Sequence, residues 1–363
     1  MATTPGGNYY IESSDLVANY PATSLAIANR LDKYAVNPFT DAAARDAAIP
    51  TPVQGQLAQT LDDNKVWRYD GTAWAPFSGA VGAANFTDTA TGTYSDGGIN
   101  YKFITYTGTG SITIDQAGLA DILIVAGGGA GGSAYGSGGG AGAFVNISEG
   151  FLSVATHTIV VGAGGNGRSV PYAGSSQNGD NGNASRIADY LSPGGGGGVG
   201  AAFNTASVYY VQPGLSGGSG GGASGMNAGG GATGGTGVVG FGGDGGAATS
   251  GITGTGAGGG GANLSVLGRG ETPPLANYGG AGGAGTTSTI RNTVVDMCGG
   301  GGGSGGAAGG AGGSGIGGVG GNNLSGGAGT VSTGSGGGGS YTASANSIGG
   351  NGGSGIVIVR VVV

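Results

Sequence analysis

The sequence predicts a mainly β and irregular fold, with a short N-terminal helical segment, a small β-hairpin module, and a glycine-rich domain of polyglycine II helices framed by a β-sheet. Three observations predict it. Glycine supplies 97 of 363 residues, and it is segregated: residues 1–118 hold 12 and residues 119–363 hold the other 85. Short apolar runs pass directly into or out of glycine tracts, as in ADILIVAGGG (120–129), VATHTIVVGAGG (154–165) and GSGIVIVRVVV (353–363). Between VWRY and TAW stands an Asp-Gly pair, Asp70-Gly71.

The N-terminal segment, residues 1–45, contains PATSLAIANRLDKYA (21–35), a short helix opened by a proline in its first turn. Leu25, Ala28, Leu31 and Tyr34 recur at threes and share one face. A helix packed within its own small domain and a stripe at which copies of the chain meet both fit that face. Residues 46–78 read as a compact β unit. Asp-Gly flanked by alternating residues signals a hairpin, because a type I′ turn needs positive φ at both central positions. Trp67 and Trp74 then lie on paired strands and fill most of a tiny core, with a sugar-stacking platform as the lesser reading.

Residues 79–363 begin with INYKFITYTGTGSITI (99–114), which alternates and is rich in β-branched and aromatic residues. The apolar runs that follow predict buried strands of one sheet framing the glycine-rich body. Glycine has no side chain to bury and loses the most entropy on ordering. That body therefore needs another way to pair its backbone. Collagen fails, since no strict Gly-x-y period exists and residues 119–363 hold only 5 prolines. A flexible Gly/Ser linker does not alternate with defined apolar strands. Polyglycine II meets the requirement. Its three residues per turn, rising about 3.1 Å each, point N–H and C=O groups outward in three directions. Neighbouring glycine backbones then approach closely and bond laterally, which satisfies the buried polar groups. Alanine and serine, the usual interruptions, are expected at the bundle edge.

The composition also excludes functions. The formal net charge is −7 with no Lys/Arg cluster, which argues against a nucleic-acid partner. No apolar run is long enough for a transmembrane segment. The start MATTPGGNYYIESSD lacks the charged and apolar regions of a signal peptide, so assembly in a cytoplasm is expected. Cys298 is the one cysteine and reads as a small buried residue. His157, the one histidine, reads as structural. GAGGNG (162–167) satisfies the dinucleotide-binding glycine pattern, but RSVPYAGSS follows and offers no helix. NGDNGN (178–183) invites a calcium reading; without a repeating nonapeptide it reads as a tight turn. No catalytic residue, metal site or cofactor emerges, and an enzyme is not expected.

Four non-glycine segments interrupt the tracts: AAFNTASVYYVQP (201–213), ANLSVLGRGETPPLANY (262–278), TTSTIRNTVVDMC (286–298) and SYTASANS (340–347). Bulky side chains are expected to force each out of the bundle as a loop, and loops on a rigid scaffold concentrate binding residues. Tyr209, Tyr210, Arg269, Tyr278, Arg291 and Tyr341 are the candidate binding contacts. Tyrosine suits the role, with an apolar face and a polar tip.

Two stretches carry a resemblance. AARDAAIPTPVQGQLAQTLDDNKVWRYDGTAWAPF resembles a short spacer module of bacteriophage tail-fibre and minor tail proteins, through its Ala-Arg-Asp-Ala start, Ile-Pro-x-Pro turn and Tyr-Asp-Gly-x-x-Trp hairpin. LIVAGGGAGG, TIVVGAGGNG and the terminal GGSGIVIVR resemble the glycine-rich domain at the ends of phage tail fibres and adhesins, over about residues 120–360. That family often ends IVIVRY, whereas here Val361-Val362-Val363 follow the arginine. The resemblance implies a polyglycine II bundle whose connecting loops touch the host. The chain is accordingly expected in the virion tail. Residues 1–45 would attach it to other tail proteins or sister subunits, 46–78 would act as spacer, and 79–363 would bind a host-surface glycan or protein. Fibre architecture suggests a homotrimer, by analogy only. A structural tail-tip component and a glycine-rich bacterial surface protein are the alternatives. A glycan-cleaving enzyme would need paired carboxylates, which are sparse here.

Overall fold

Asp41 opens the first described helix: its carboxylate accepts from the Ala44 N–H at 2.8 Å, satisfying a donor that the first turn leaves unpaired. The computed structural model describes residues 36–62, 65–77, 82–169, 177–201, 212–225, 231–249, 254–265, 268–322, 324–341 and 347–363, and the backbone of Ala2–Thr3, Tyr9–Tyr10, Ala202–Phe203 and Tyr209–Tyr210. The helix expected at 21–35 lies outside the described residues. Two compact units result, Met1–Gly82 and Ala83–Val363.

In the first unit, β1 (Asn37–Phe39), α1 (Ala42–Ala48), β2 (Leu57–Thr60), β3 (Lys65–Tyr69) and β4 (Trp74–Pro76) follow in order. The strands form one sheet in the order β1-β2-β3-β4, with β1 parallel to β2 and the other pairs antiparallel. The expected boundary between residues 45 and 46 therefore falls inside α1, and the sheet begins before it. Trp67 and Trp74 do lie on paired strands. Their faces are covered, because the Arg45 guanidinium sits 5.0 Å from the Trp67 ring and 4.9 Å from the Trp74 ring. Arg45 is buried and pairs with Asp46 at 2.8 Å. This is packing by cation–π contact.

The hairpin joining β3 to β4 is not the expected two-residue turn. Tyr69 pairs with Trp74, leaving the four-residue loop 70–73, and Gly71 is its one position of positive φ, at +111°. The Asp70 side chain is the cause: Oδ1 accepts from the N–H groups of Ala73 (2.8 Å) and Thr72 (2.7 Å) and from the Thr72 hydroxyl (2.8 Å). The Ala73 and Thr72 backbone bonds, with the hydroxyl, hold the Asp70 pKa below the usual carboxylate range. A pKa lowered on folding stabilises the loop above the unfolded value, and the contribution is lost as pH falls through the folded one. We therefore expect the Thr72 and Ala73 amide resonances to stay constant down to about pH 4 and to move only below it. Movement at higher pH would contradict this account of the loop.

In the second unit, alternation places β5 (Asn85–Phe86), β6 (Gly92–Asp96), β7 (Ile99–Tyr106), β8 (Gly110–Gln116), β9 (Gly118–Val125), β10 (Phe144–Leu152), β11 (Ala155–Val160), β12 (Ser185–Ile187) and β13 (Tyr190–Ser192). After the glycine body come the hairpin of β16 (Thr286–Ser288) and β17 (Val295–Met297), and finally β18 (Ile356–Val362). Between them lies a two-residue pair, β14 (Ala202–Phe203) with β15 (Tyr209–Tyr210). Two five-stranded antiparallel sheets form, ordered β10-β9-β18-β7-β6 and β13-β12-β11-β8-β5. The single sheet expected from the apolar runs is thus two, because β11 pairs with β8 in the second sheet rather than with β9 or β18.

The period of two along a strand explains why β9 and β18 each carry an unbroken apolar run, 122–125 and 356–359. Ile122, Ile124, Val357, Val359 and Val361 face the second sheet and meet Phe86, Ile112, Ile114, Ile159 and Ile187. Leu123, Val125, Ile356 and Ile358 face the other way and pack on Ala141, Ala262, Ile290, Met297 and Cys298. One face closes a β-sandwich; the other docks the glycine body. Segment 286–298 therefore does not leave the bundle as expected: Ile290, Met297 and Cys298 seal the outer face of the sheet. Burial pushes the Cys298 thiol pKa up, so the reactive thiolate is suppressed. A thiol-disulfide exchange reagent at mildly alkaline pH is expected to label Cys298 only after denaturation. Prompt labelling of the native chain would show that this interface opens.

The glycine body is a lattice of helices with three residues per turn. Gly127, Ala130 and Ser133 donate to the carbonyls of Asn183, Asp180 and Gln177; Gly128 and Gly131 to Gly353 and Gly350; Gly129 and Gly132 to Gly140 and Ser137. A partner that recurs every third residue is what outward-bonding polyglycine II produces. Stretch 136–143 is enclosed on all sides. Its N–H groups reach 193–199, 257–260 and 334–340, and its carbonyls accept from 126–132, 219–222 and 301–304. Closeness of approach makes glycine obligatory here: a Cβ on Gly138 or Gly140 would lie 2.0 Å or 2.3 Å from a neighbouring carbonyl oxygen.

Two expectations are corrected by this lattice. Alanine and serine are not confined to its edge, since Ala130, Ala141, Ala223, Ala257, Ser137 and Ser219 are all buried. Ser137 fits by bonding the backbone, donating to the Gly222 carbonyl at 2.5 Å and accepting from Val199 N at 2.7 Å. Residues 178–183 do not turn. None of them has positive φ, and Gly179 and Gly182 face inward, where a Cβ would lie 2.4 Å and 2.0 Å from the Ala130 and Gly127 oxygens. The 162–167 motif is likewise a lattice tract, its Gly165 N–H donating to Gly128 at 2.8 Å.

Candidate functional site

Stretch 126–133 leaves β9 at the sheet, and 137–143 returns to β10. The reversal between them marks the end of the bundle away from the sheets. Ala134 and Tyr135 turn the chain there with φ of 55° and 56°, a conformation that costs a non-glycine residue free energy. Tyr135 N–H donates to the Tyr341 carbonyl at 3.1 Å, and the two rings meet edge to face with centroids 5.0 Å apart. Ser224 Oγ donates to the Tyr135 carbonyl at 3.1 Å. Asn277, also at positive φ (65°), accepts from Ala307 N at 2.8 Å, and Tyr278 bridges to Ala308. A Cβ built on Gly254 would lie 3.1 Å from Asn277 Oδ1 and 3.5 Å from the Tyr341 hydroxyl. Several chain reversals thus converge on one polar and aromatic surface, with Tyr278 43% exposed.

The six expected contact residues divide between the two ends. Tyr278 and Tyr341 belong to the far-end surface. The strand that contains Tyr209 and Tyr210 pairs with β14, which directly follows Ala201, and Ala201 N–H donates to Ala134 at 3.0 Å. This places its backbone at the same end; the two side chains lie outside the described residues. Arg269 and Arg291 are elsewhere. Arg269 pairs with Asp244 at 3.8 Å close to Gly261, which donates to Gly268 beside Ala262 of the sheet-facing cluster. Half-buried Arg291 follows Ile290, which packs on the sheet. Both arginines are therefore at the sheet end, and they do not join the tyrosines. Sequence reasoning missed Tyr135 and Asn277. The lone tyrosine inside GGSAYGSGGG was the available signal, because a bulky residue between two tracts has to sit at a reversal.

A family model described as a glycine-rich domain matches residues 104–362, well over half of the chain. The chain belongs to the glycine-rich domain family. No curated protein matches the chain. The matched span of the glycine-rich domain runs from within β7 to the end of β18, so it takes in most of both sheets as well as the lattice. Among the described residues of the protein, no group of three His, Cys, Asp or Glu side chains is placed to hold a metal ion. No described helix is long and apolar enough to cross a membrane. His157, on β11, contacts the Ser153 carbonyl through Nε2 at 2.9 Å.

Proposed function

We propose that this chain is a bacteriophage tail-fibre or minor tail protein that acts as an adhesin, binding the host cell surface through the far end of its glycine bundle. The observation that carries the reading is the convergence of reversals around Tyr135, Asn277, Tyr278 and Tyr341 on a lattice fixed by backbone bonds. A surface ordered before binding loses little entropy on contact, and tyrosine offers both stacking area and a hydroxyl to a glycan or protein. The resemblance of residues 43–77 to a tail-fibre spacer supports the virion tail as its location. Residues 1–45 are proposed to engage other tail proteins, and clustering in a homotrimer would add multivalency.

A structural tail component that contacts neighbouring tail proteins is the second reading. Val239, Leu264 and Val294, exposed at 94%, 68% and 72% on sheet-end turns, favour it. Adsorption of the labelled full-length chain to cells of the virus's host discriminates between the two. Saturable adsorption that blocks infection, and that falls at least tenfold with Tyr278→Ala, is the expected result. A folded chain that never adsorbs, but is needed to assemble tails, would replace the adhesin with the structural component.

A further inference from the structure

A second surface lies on the flank of the bundle. Residues 177–181 line an open cleft of about 600 Å³, together with Arg168, Gln212 and Leu215. We propose that this cleft is a lateral binding site for a neutral oligosaccharide, distinct from the far-end surface.

The chemistry of the lining selects that ligand class. Arg168 Nε donates to Asp180 Oδ1 at 2.8 Å, and its Nη2 lies 2.6 Å from the same oxygen. The pair carries no net charge, so it offers a phosphate, sulfate or carboxylate no excess of positive charge. An exposed ion pair of this kind adds little to stability, yet it sets planar donors beside a fixed acceptor, the complement of neighbouring sugar hydroxyls. Asn181 Oδ1 accepts from Gly197 N at 2.7 Å and Asn178 Oδ1 from Gly200 N at 3.3 Å. Those bonds orient both amides and leave their Nδ2 hydrogens to donate to a ligand. Half-buried Leu215 supplies an apolar patch for the C–H face of a ring. The cleft is broadly open to solvent, a shape that would hold a sugar chain along one side rather than enclose a small molecule. A divalent cation would need more than the single carboxylate of Asp180, and an apolar peptide would find only Leu215.

The geometry has a sequence origin. Gly179 and Gly182 stand three apart and face inward, which leaves Asn178, Asp180 and Asn181 on the outer sides of a three-residue helix. Lateral hydrogen bonds hold the tract, so the polar row is ordered before any ligand arrives.

The full-length chain, fluorescently labelled, would be applied to an array of neutral oligosaccharides of hexose and N-acetylhexosamine, with sulfated and uronate-containing counterparts. Retention on one or more neutral members is expected. A loss of at least tenfold is expected with Arg168→Ala and with Leu215→Arg, the latter filling the cleft, while Gly108→Ala, which belongs to neither surface and whose Cβ would meet nothing within 4 Å, leaves the array signal unchanged. Thermal melting of each variant checks that it folds, and either folded variant alone is sufficient. Absence of array binding by the wild type, binding restricted to the charged members, or binding indifferent to both cleft variants would each overturn the proposal. Host adsorption through Tyr278 is scored separately, so the far-end reading can fail or stand independently.

Discussion

Gly139→Ala is expected to abolish cooperative folding of the glycine-rich unit, whereas Gly108→Ala is expected to leave its melting unchanged. A Cβ at position 139 would lie 2.2 Å from the Gly129 oxygen and 2.6 Å from the Ala130 oxygen, whereas at Gly108 it would meet nothing within 4 Å. Overpacking a side-chain core costs about 1–3 kcal/mol, because side chains can yield. Here the obstacles are backbone atoms held by lateral bonds: Gly129 also donates to Gly140, Gly139 donates to Gly337, and Gly301 donates to Gly139. Moving any one helix disturbs others, so the loss should exceed about 4 kcal/mol, in the range of the most disruptive substitutions. Thermal and chemical denaturation of both variants tests this. Equal stability of the pair would mean that close backbone contact is not what holds the unit together.

Removal of Ile356–Val362 should leave the glycine-rich unit unfolded, although this takes away only the last strand in sequence. In space β18 is the third strand of its sheet, antiparallel to both β9 and β7. Its alternating residues belong to both apolar clusters, so its loss opens the sandwich core and the face that docks the lattice. Arg360 adds a clamp, bonding Asp121 Oδ2 through Nε (3.0 Å) and Nη2 (2.6 Å) and the Tyr94 hydroxyl through Nη1 (2.5 Å). Burial disfavours its charge, but the bonds to Asp121 and Tyr94 outweigh that and raise its pKa. Arg360→Ala, which keeps the strand, should melt lower while still folding. A truncated chain as resistant to protease as the full-length one would refute the central role of β18.

Much of this fold was legible in the sequence, and the failures have physical causes. ILIV and IVIV announced strands buried on both faces, and the glycine tracts between them left polyglycine II as the account that pairs every backbone group. Sheet membership was not legible for VATHTIVV, because an apolar run records burial and not its partner. Asp70-Gly71 misled because the carboxylate of Asp70 competes with the backbone for the turn's donors and enlarges the loop. NGDNGN misled because local turn preference was weighed without the spacing of its glycines, which is the stronger signal inside a lattice. The far-end surface was half legible. Tyrosines mark reversals, but nothing local distinguishes a reversal at the far end from one at the sheet, so the separation of Arg269 and Arg291 from the tyrosines is visible only in the structure.

The recurrence of bonding partners every third residue gives each tract something like a reading frame. Adding three residues to a tract lengthens it by about 9 Å and returns every later side chain to its former face. Adding one or two turns each later residue through part of a revolution, which would carry Gly179 out of the bundle and bring either Asn178 or Asp180 into it. Reversals carry no such frame. Length changes in related chains should therefore come in triplets along the tracts and in any number at the turns. Such a scaffold can alter its recognition surface freely while any shift of phase in its body is eliminated.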